Sequence, residues 1–216
     1  MTIDPELRPM TQSSILFIVS APSGAGKTSL LRALLERDPQ LRLSVSHTTR
    51  PMRPGERDGV DYHFVDVDTF QKLVAEGAFI EHAQVFDNYY GTAEQAVRDQ
   101  LAAGHDVVVE IDWQGARQVR ARFPDAVSIF IAPPSIEALR ERLGARGQDS
   151  EEVIARRMRD ARAELSHYPE YDYLVINDDF DTALEQLGQV VGAERLRTTR
   201  QAIRHAAALS AMLDGD

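Results

Sequence analysis

Gly24, Gly26, Lys27 and Thr28 are the residues of this chain whose types and spacing most directly suggest chemistry. They stand in the run Ala21-Pro22-Ser23-Gly24-Ala25-Gly26-Lys27-Thr28. That run fits the phosphate-loop pattern of Gly, four residues, then Gly-Lys-Ser/Thr, with Ala21 at the first position. Glycines let the backbone turn so that successive N–H groups point inward at a phosphate. Lys27 can reach the β- and γ-phosphates of a nucleotide, and the Thr28 hydroxyl can ligate Mg²⁺. A helix opening at Lys27 adds the positive end of its dipole. A second basic cluster follows in Ser46-His47-Thr48-Thr49-Arg50-Pro51-Met52-Arg53, where two arginines three residues apart sit beside three hydroxyl residues. Forked guanidinium donors with supplementary hydroxyls suit a second phosphate, although charged loops of this kind are also common as plain solvated surface.

Two acids, Glu110 and Asp112, end the largely apolar run Asp106 to Asp112. A carboxylate at the C-terminal end of a buried strand can hold Mg²⁺ directly or through water, and both are candidates. Arg140, Arg142, Arg146, Arg156, Arg157 and Arg159 then fall within twenty residues, interrupted by Gly144, Gly147, Asp149 and Ser150. This is the pattern of an Arg-bearing lid that excludes water and neutralises a transferred anion. Amphipathic helices with solvated Arg–Glu pairs account equally well for any single one of these arginines.

The elements that must position these groups follow from periodicity. Ile15 to Val19, Asp106 to Asp112, Ala126 to Ile131 and Tyr171 to Asn177 are apolar runs of the kind buried on both faces of a parallel sheet. Leu41 to Val45 is a shorter strand candidate. Leu30, Leu31, Leu34 and Leu35 recur at helical spacing behind the phosphate loop, and Trp113 to Arg122 and Phe180 to about Leu209 also read as helices. Phe79 to Val85 alternates, which sets Phe79, Glu81, Ala83 and Val85 on one strand face. Strands separated by helices predict a doubly wound α/β fold, with ligands at the C-terminal strand ends. Those ends carry the phosphate loop, Glu110 to Gln114, and Asn177-Asp178. Residues 46–96 read as a small α+β insertion.

At 216 residues the chain suits one α/β domain with insertions, and its net charge of −10 argues against a nucleic-acid partner. Arginines far outnumber the two lysines, Lys27 and Lys72, and one of those lysines sits in the phosphate loop. Cysteine is absent, which removes disulfides and Cys-based metal sites and is compatible with a cytoplasmic location. Met1 to Gln12 lacks an apolar core and reads as a loose tail, and no run approaches the roughly 18 apolar residues of a membrane span.

Six ordered stretches together resemble the guanylate kinase family, nucleoside monophosphate kinases that make GDP from GMP and ATP. They are SAPSGAGKTS (20–29), VSHTTRPMRPGE (45–56), FIEHAQVFDNYYGT (79–92), IDWQG (111–115), RGQDSEEVIARR (146–157) and YDYLVINDD (171–179). Ala21 occurs within the family pattern, whereas Glu110 stands where the family often has Asp. The resemblance implies a P-loop three-layer α/β/α fold with a parallel core sheet. It further implies a tail at 1–13, a core of 14–45 with 97–140 and 161–216, a GMP-binding region at 46–96 and a helical lid at 141–160. ATP would lie on residues Ala21 to Thr28 with Arg142, Asn177 and Asp178. GMP or dGMP would take its phosphate contacts from Arg50, Arg53, Tyr62 and Tyr90. Its base would be read by Ser46, Glu81 and Thr92, with Asp112 nearby. Lys27, Arg50, Arg146 and Arg157 would be catalytic, and Thr28 and Glu110 would hold Mg²⁺. The guanine assignment has a direct physical case. N1–H and the 2-amino group are adjacent donors that match a carboxylate, while adenine would leave a buried carboxylate unpaired.

Two other classes fit parts of the pattern. A non-catalytic guanylate-kinase-like interaction module would be expected to have lost its loop lysine or lid arginines, yet Lys27, Thr28, Arg146 and Arg157 are all present. A sugar-phosphate kinase would lack the Ser46, Glu81 and Thr92 set. A homo-oligomer is left open by the sequence.

Overall fold

The computed structural model describes residues 13–85, 87–144 and 151–214, with the side chains of 151–156 outside that description. Its centre is β1 (Leu16–Ser20), whose five residues are all buried. β1 pairs in parallel with β7 (Asp106–Glu110) on one side and β8 (Val127–Ala132) on the other. β2 (Leu41–Leu43) adds beyond β7, and β9 (Tyr173–Ile176) adds beyond β8. The resulting order is β2-β7-β1-β8-β9, parallel throughout. Five strands thus build the sheet, since the short candidate at Leu41 joins the four buried runs.

The period-2 geometry of β1 divides its side chains between two apolar layers. Phe17 and Val19 pack with α1 (Lys27–Arg37) through Leu30, Leu31 and Leu34, and with α7 (Phe180–Arg195) through Leu184, Leu187 and Val191. Leu16 and Ile18 face the opposite way. They join Val107 and Val109 under α3 (Glu94–Ala102) and α4 (Trp113–Arg122), which contribute Val97, Leu101 and Val119. Helices on both faces of a parallel sheet give the expected three-layer α/β/α architecture. A smaller apolar cluster joins α5 (Ile136–Gly144) to α6 (Glu151–Leu165) through Leu139, Leu143 and Ala161.

A second sheet has the order β4-β3-β6-β5, with strands β3 (His47–Thr48), β4 (His63–Phe64), β5 (Phe79–Val85) and β6 (Asn88–Ala93). The helix α2 (Val67–Ala75) packs on it through Phe70, whose ring lies 4.8 Å from that of Phe79. All four strands lie within 46–96. Strand β5 departs from simple alternation, because its pairing with β6 shifts register between Phe79 and Glu81. That bulge lets Phe79 pack on Phe70, sends Ile80 into the core beneath the parallel sheet, and keeps Glu81, Ala83 and Val85 on the cleft.

Two expectations are corrected. The Tyr171 to Asn177 run is not buried on both faces: β9 is an edge strand, and Leu174 and Ile176 are exposed while Val175 is buried. The continuous helix expected from Phe180 to about Leu209 is instead α7, α8 (Thr198–Arg204) and α9 (Ala206–Leu213). Arg195 is drawn to Asp38 and Asp106, and Glu194 accepts from the Tyr173 hydroxyl. These contacts anchor the end of α7, and the chain turns at Arg197 before the β-branched pair Thr198-Thr199. The expected N-terminal tail lies outside the described residues.

Candidate active site

The sequence turns from strand to helix between β1 and α1, and it does so with two left-handed glycines. Gly24 and Gly26 both have φ of +92°, where an L side chain is strained. Asn177, buried at the end of β9, donates from Nδ2 to the Ala25 carbonyl at 2.6 Å and braces the loop from beneath. Gly26 caps α1, so the first helical residue is Lys27. The loop therefore sits at the C-terminal end of the central strand. There the chain has gone to one side for β2 and β7 and crosses to the other for β8 and β9, the switch point where such sheets bind ligands.

The Lys27 ammonium reaches the Ile111 carbonyl at 3.4 Å and lies 3.8 Å from Glu110 Oε1. Thr28 Oγ1 donates to the same Glu110 oxygen at 2.6 Å. Thr28 and Glu110 thus present a hydroxyl and a carboxylate side by side, the hard oxygen donors that Mg²⁺ prefers. Asp112 caps α4 by accepting from the Gly115 N–H at 2.8 Å, with Gln114 Nε2 on its other oxygen at 3.3 Å.

Across the cleft, β5 and β6 bring Glu81 against Thr92. Glu81 is only 3% exposed, and its Oε1 accepts from Thr92 Oγ1 at 2.6 Å. Thr92 Oγ1 in turn lies 3.0 Å from Ser46 Oγ, so the three form one hydroxyl–hydroxyl–carboxylate chain. Burial pushes the Glu81 carboxyl up to about 7; the Thr92 hydrogen bond opposes this and the nearby Asp112 charge adds to it.

Lys27, Thr28, Ser46, Arg53, Tyr62, Glu81, Tyr90, Glu110, Asp112 and Arg157 all line a single cleft of about 640 Å³, together with loop residues Ala21 to Gly24 and Gly26. Other expected site residues do not line it. Ala25 is buried in the loop, and Thr92 lies behind Ser46 and Glu81. Arg142 donates to the Asn177 carbonyl at 2.9 Å, and Asp178 follows Asn177 outside the cleft lining. Arg50 is held by Glu56 in a two-pronged ion pair, at 2.8 and 3.0 Å, with its guanidinium 5.4 Å from the Tyr62 ring centre. Arg146 lies outside the described residues.

The structure also assembles residues that sequence reasoning did not single out. Glu56 orients Arg50 and accepts from the Arg53 N–H at 2.7 Å. Its place three residues after Arg53 in a Pro-Gly turn was the available signal. Glu164, on α6, lines the cleft and accepts from the Ser23 N–H at 3.2 Å. Burial pushes its carboxyl up to about 7, partly offset by the Lys27 charge and the Ser23 hydrogen bond. Nothing in the local sequence marks Glu164, because 141 residues separate it from Ser23.

The family comparison agrees with this geometry. The guanylate kinase family profile matches residues 13–194.

The chain belongs to the guanylate kinase family.

It is 63% identical over 198 residues to the guanylate kinase of Chromohalobacter salexigens, covering 92% of each chain. It is 57% identical over 200 residues to that of Vibrio cholerae, covering 92% of this chain and 97% of the relative. The crystal structure of guanylate kinase from Anaplasma phagocytophilum superposes with a TM-score of 0.74 at 33% identity, covering 91% and 96% of the two chains. This membership makes the chain a kinase, an enzyme of nucleotide phosphoryl transfer. Among the described residues no helix is long and apolar enough to cross a membrane.

Proposed function

We propose that this guanylate kinase family member transfers the γ-phosphoryl group of ATP to GMP or dGMP, giving ADP and GDP or dGDP. One observation carries the reading. A phosphate loop with Lys27 and Thr28 lines the same cleft as the buried Glu81 carboxylate and the Ser46 hydroxyl, which Thr92 links from behind, and Arg53, Tyr62 and Tyr90 line it too. A donor triphosphate fits the loop, and a guanine monophosphate fits the Glu81 and Ser46 group.

The acceptor is a phosphate anion, so no strong general base is needed, and alignment with charge neutralisation supplies the rate. Lys27 stabilises charge spreading over the transferred group. Arg50, Arg53, Tyr62 and Tyr90 hold the acceptor phosphate, and Glu56 keeps the Arg50 fork preset. Arg142, Arg146 and Arg157 belong to the lid that covers the donor phosphates, with Arg157 already donating to Ser23 Oγ at 2.7 Å. Asn177 serves the donor side through the loop it supports, with Asp178 beside it in the chain. Mg²⁺ would be held by Thr28 and Glu110, and when bound it offsets charge on the donor phosphates. Two protein oxygens suit an ion that keeps waters and phosphate oxygens as its other ligands. A cytoplasmic location fits the absence of cysteine.

An ADP-release assay with ATP and each of GMP, dGMP, AMP, UMP and dTMP tests this. Strong turnover with GMP, or with GMP and dGMP alone, is the expected result. Equal turnover of AMP, or none with any monophosphate, overturns it.

A further inference from the structure

Gly115 is the third residue of α4, and its backbone is ordinary right-handed helix, not among the positive-φ glycines. Alanine is favoured over glycine in such a position by about 1 kcal/mol. The backbone therefore gives no reason for glycine here. The surroundings do. A Cβ at this position would lie 2.6 Å from Glu81 Oε2, 3.2 Å from Glu81 Cδ and 3.3 Å from Ile111 Cβ. Carbon and oxygen approach no closer than about 3.3 Å even in a C–H···O contact. The atom such a Cβ displaces is thus the carboxylate itself, the free end of a side chain.

We infer that Gly115 is a positioning residue for base selection: its missing side chain is the space in which the Glu81 carboxylate is held against Thr92. The inference rests on the reading that Glu81 pairs with the guanine edge, and it adds what fixes that carboxylate in place. Three neighbours define the position. Thr92 Oγ1 binds Oε1 from β6, Gly115 leaves room for Oε2 from α4, and Asp112 ties the α4 N-terminus through the Gly115 N–H. A methyl group on Gly115 pushes the carboxylate off this seat, while Ile111 Cβ need give by only a few tenths of an ångström. A two-donor match to guanine N1–H and the 2-amino group depends on the in-plane placement of both oxygens, so displacement falls on base choice.

Steady-state kinetics on Gly115→Ala test this, with GMP, IMP and AMP as acceptors. The expected result is a tenfold or greater rise in KM for GMP, a reduced preference for GMP over IMP and AMP, and KM for ATP within twofold. The melting temperature should stay the same or rise, because the helix accepts alanine. Glu81→Asp, one methylene shorter, supplies the control. Gly115→Ala should cost at least tenfold in kcat/KM for GMP with Glu81 present and less than twofold in the Glu81→Asp background. Equal losses in the two backgrounds, an unchanged GMP preference, or a protein that no longer folds would each overturn the inference. Its failure is separable from that of the underlying reading. If Glu81→Gln relaxes base choice and Gly115→Ala does not, only the role of Gly115 falls. If Glu81→Gln leaves base choice intact, the reading of Glu81 falls first.

Discussion

Glu164 on α6 accepts a hydrogen bond from the backbone N–H of Ser23 in the phosphate loop, at 3.2 Å. Two turns earlier on the same helix, Arg157 donates to the Ser23 hydroxyl at 2.7 Å. One loop residue is therefore gripped by a carboxylate and a guanidinium from the same helix. An incoming polyphosphate shares the cleft with a like charge at Glu164 whenever that group is ionised. Its carboxyl, pushed up to about 7, is mostly neutral at pH 6 and mostly charged at pH 8. Glu164→Gln keeps the acceptor and removes the charge. KM for ATP should fall two- to tenfold at pH 8 and change little at pH 6. ATP titrations at the two pH values check this, and a higher KM at pH 8 would show that the charge assists binding.

Arg53 lines the cleft, and its positive charge also acts on Glu56. A charge-assisted hydrogen bond to phosphate is worth about 1.5–3 kcal/mol. Arg53→Ala should therefore raise KM for GMP roughly 10- to 100-fold while KM for ATP stays within about twofold. Measuring both constants decides the matter, since equal losses would remove the assignment of Arg53 to the acceptor phosphate.

Glu81→Gln should relax base choice, lowering the GMP-to-AMP preference at least tenfold, because one paired acceptor becomes a donor. The same variant has a stability signature. The Glu81 carboxyl lies at about 7 in the fold against 4.5 as its ordinary value, so the folded state binds the proton more tightly. Its contribution to stability is complete below about 4.5 and is lost as pH rises through about 7. Glutamine does not titrate. Thermal melts should find the variant more stable than the parent at pH 8, with the gap closing towards pH 5. A gap that widens at low pH would contradict the burial of Glu81 as a carboxylic acid.

Arg195 joins Asp106 and Asp38, each at 2.6 Å, and Asp106 is 1% exposed. The other Asp106 oxygen accepts from the Ile15 N–H at 2.7 Å, so this cluster fastens the start of the sheet to the end of α7. Removing one partner of a buried pair leaves an uncompensated charge and costs about 3–5 kcal/mol. Arg195→Ala should lower the melting temperature by roughly 10 °C or more. KM for both nucleotides should hold, because the cluster lies at the opposite strand ends from the cleft. Adding Asp106→Asn should recover part of the loss; no recovery would place the cost elsewhere than in the stranded carboxylate.

Local sequence determined the parts of this protein whose physics is local. The Ile15 to Val19 run, two glycines and Lys27-Thr28 specify strand, turn and helix start, because backbone freedom and apolar periodicity act over a few residues. The charge spacing of Arg50 and Arg53, and the acids at the end of β7, were legible for the same reason. Tertiary structure decided what depends on separation in the chain. The Glu81–Thr92–Ser46 chain needs β3, β5 and β6 paired in a register set by a bulge. Ser23 meets Glu164 only because α6 packs back over the loop. The end of α7 is set by Arg195 reaching two aspartates across the sheet rather than by helix propensity. Whether a run such as Tyr171 to Asn177 is buried on one face or two depends on its being an edge strand. Periodicity records which residues can be buried, and only the packing of distant segments decides which of them are.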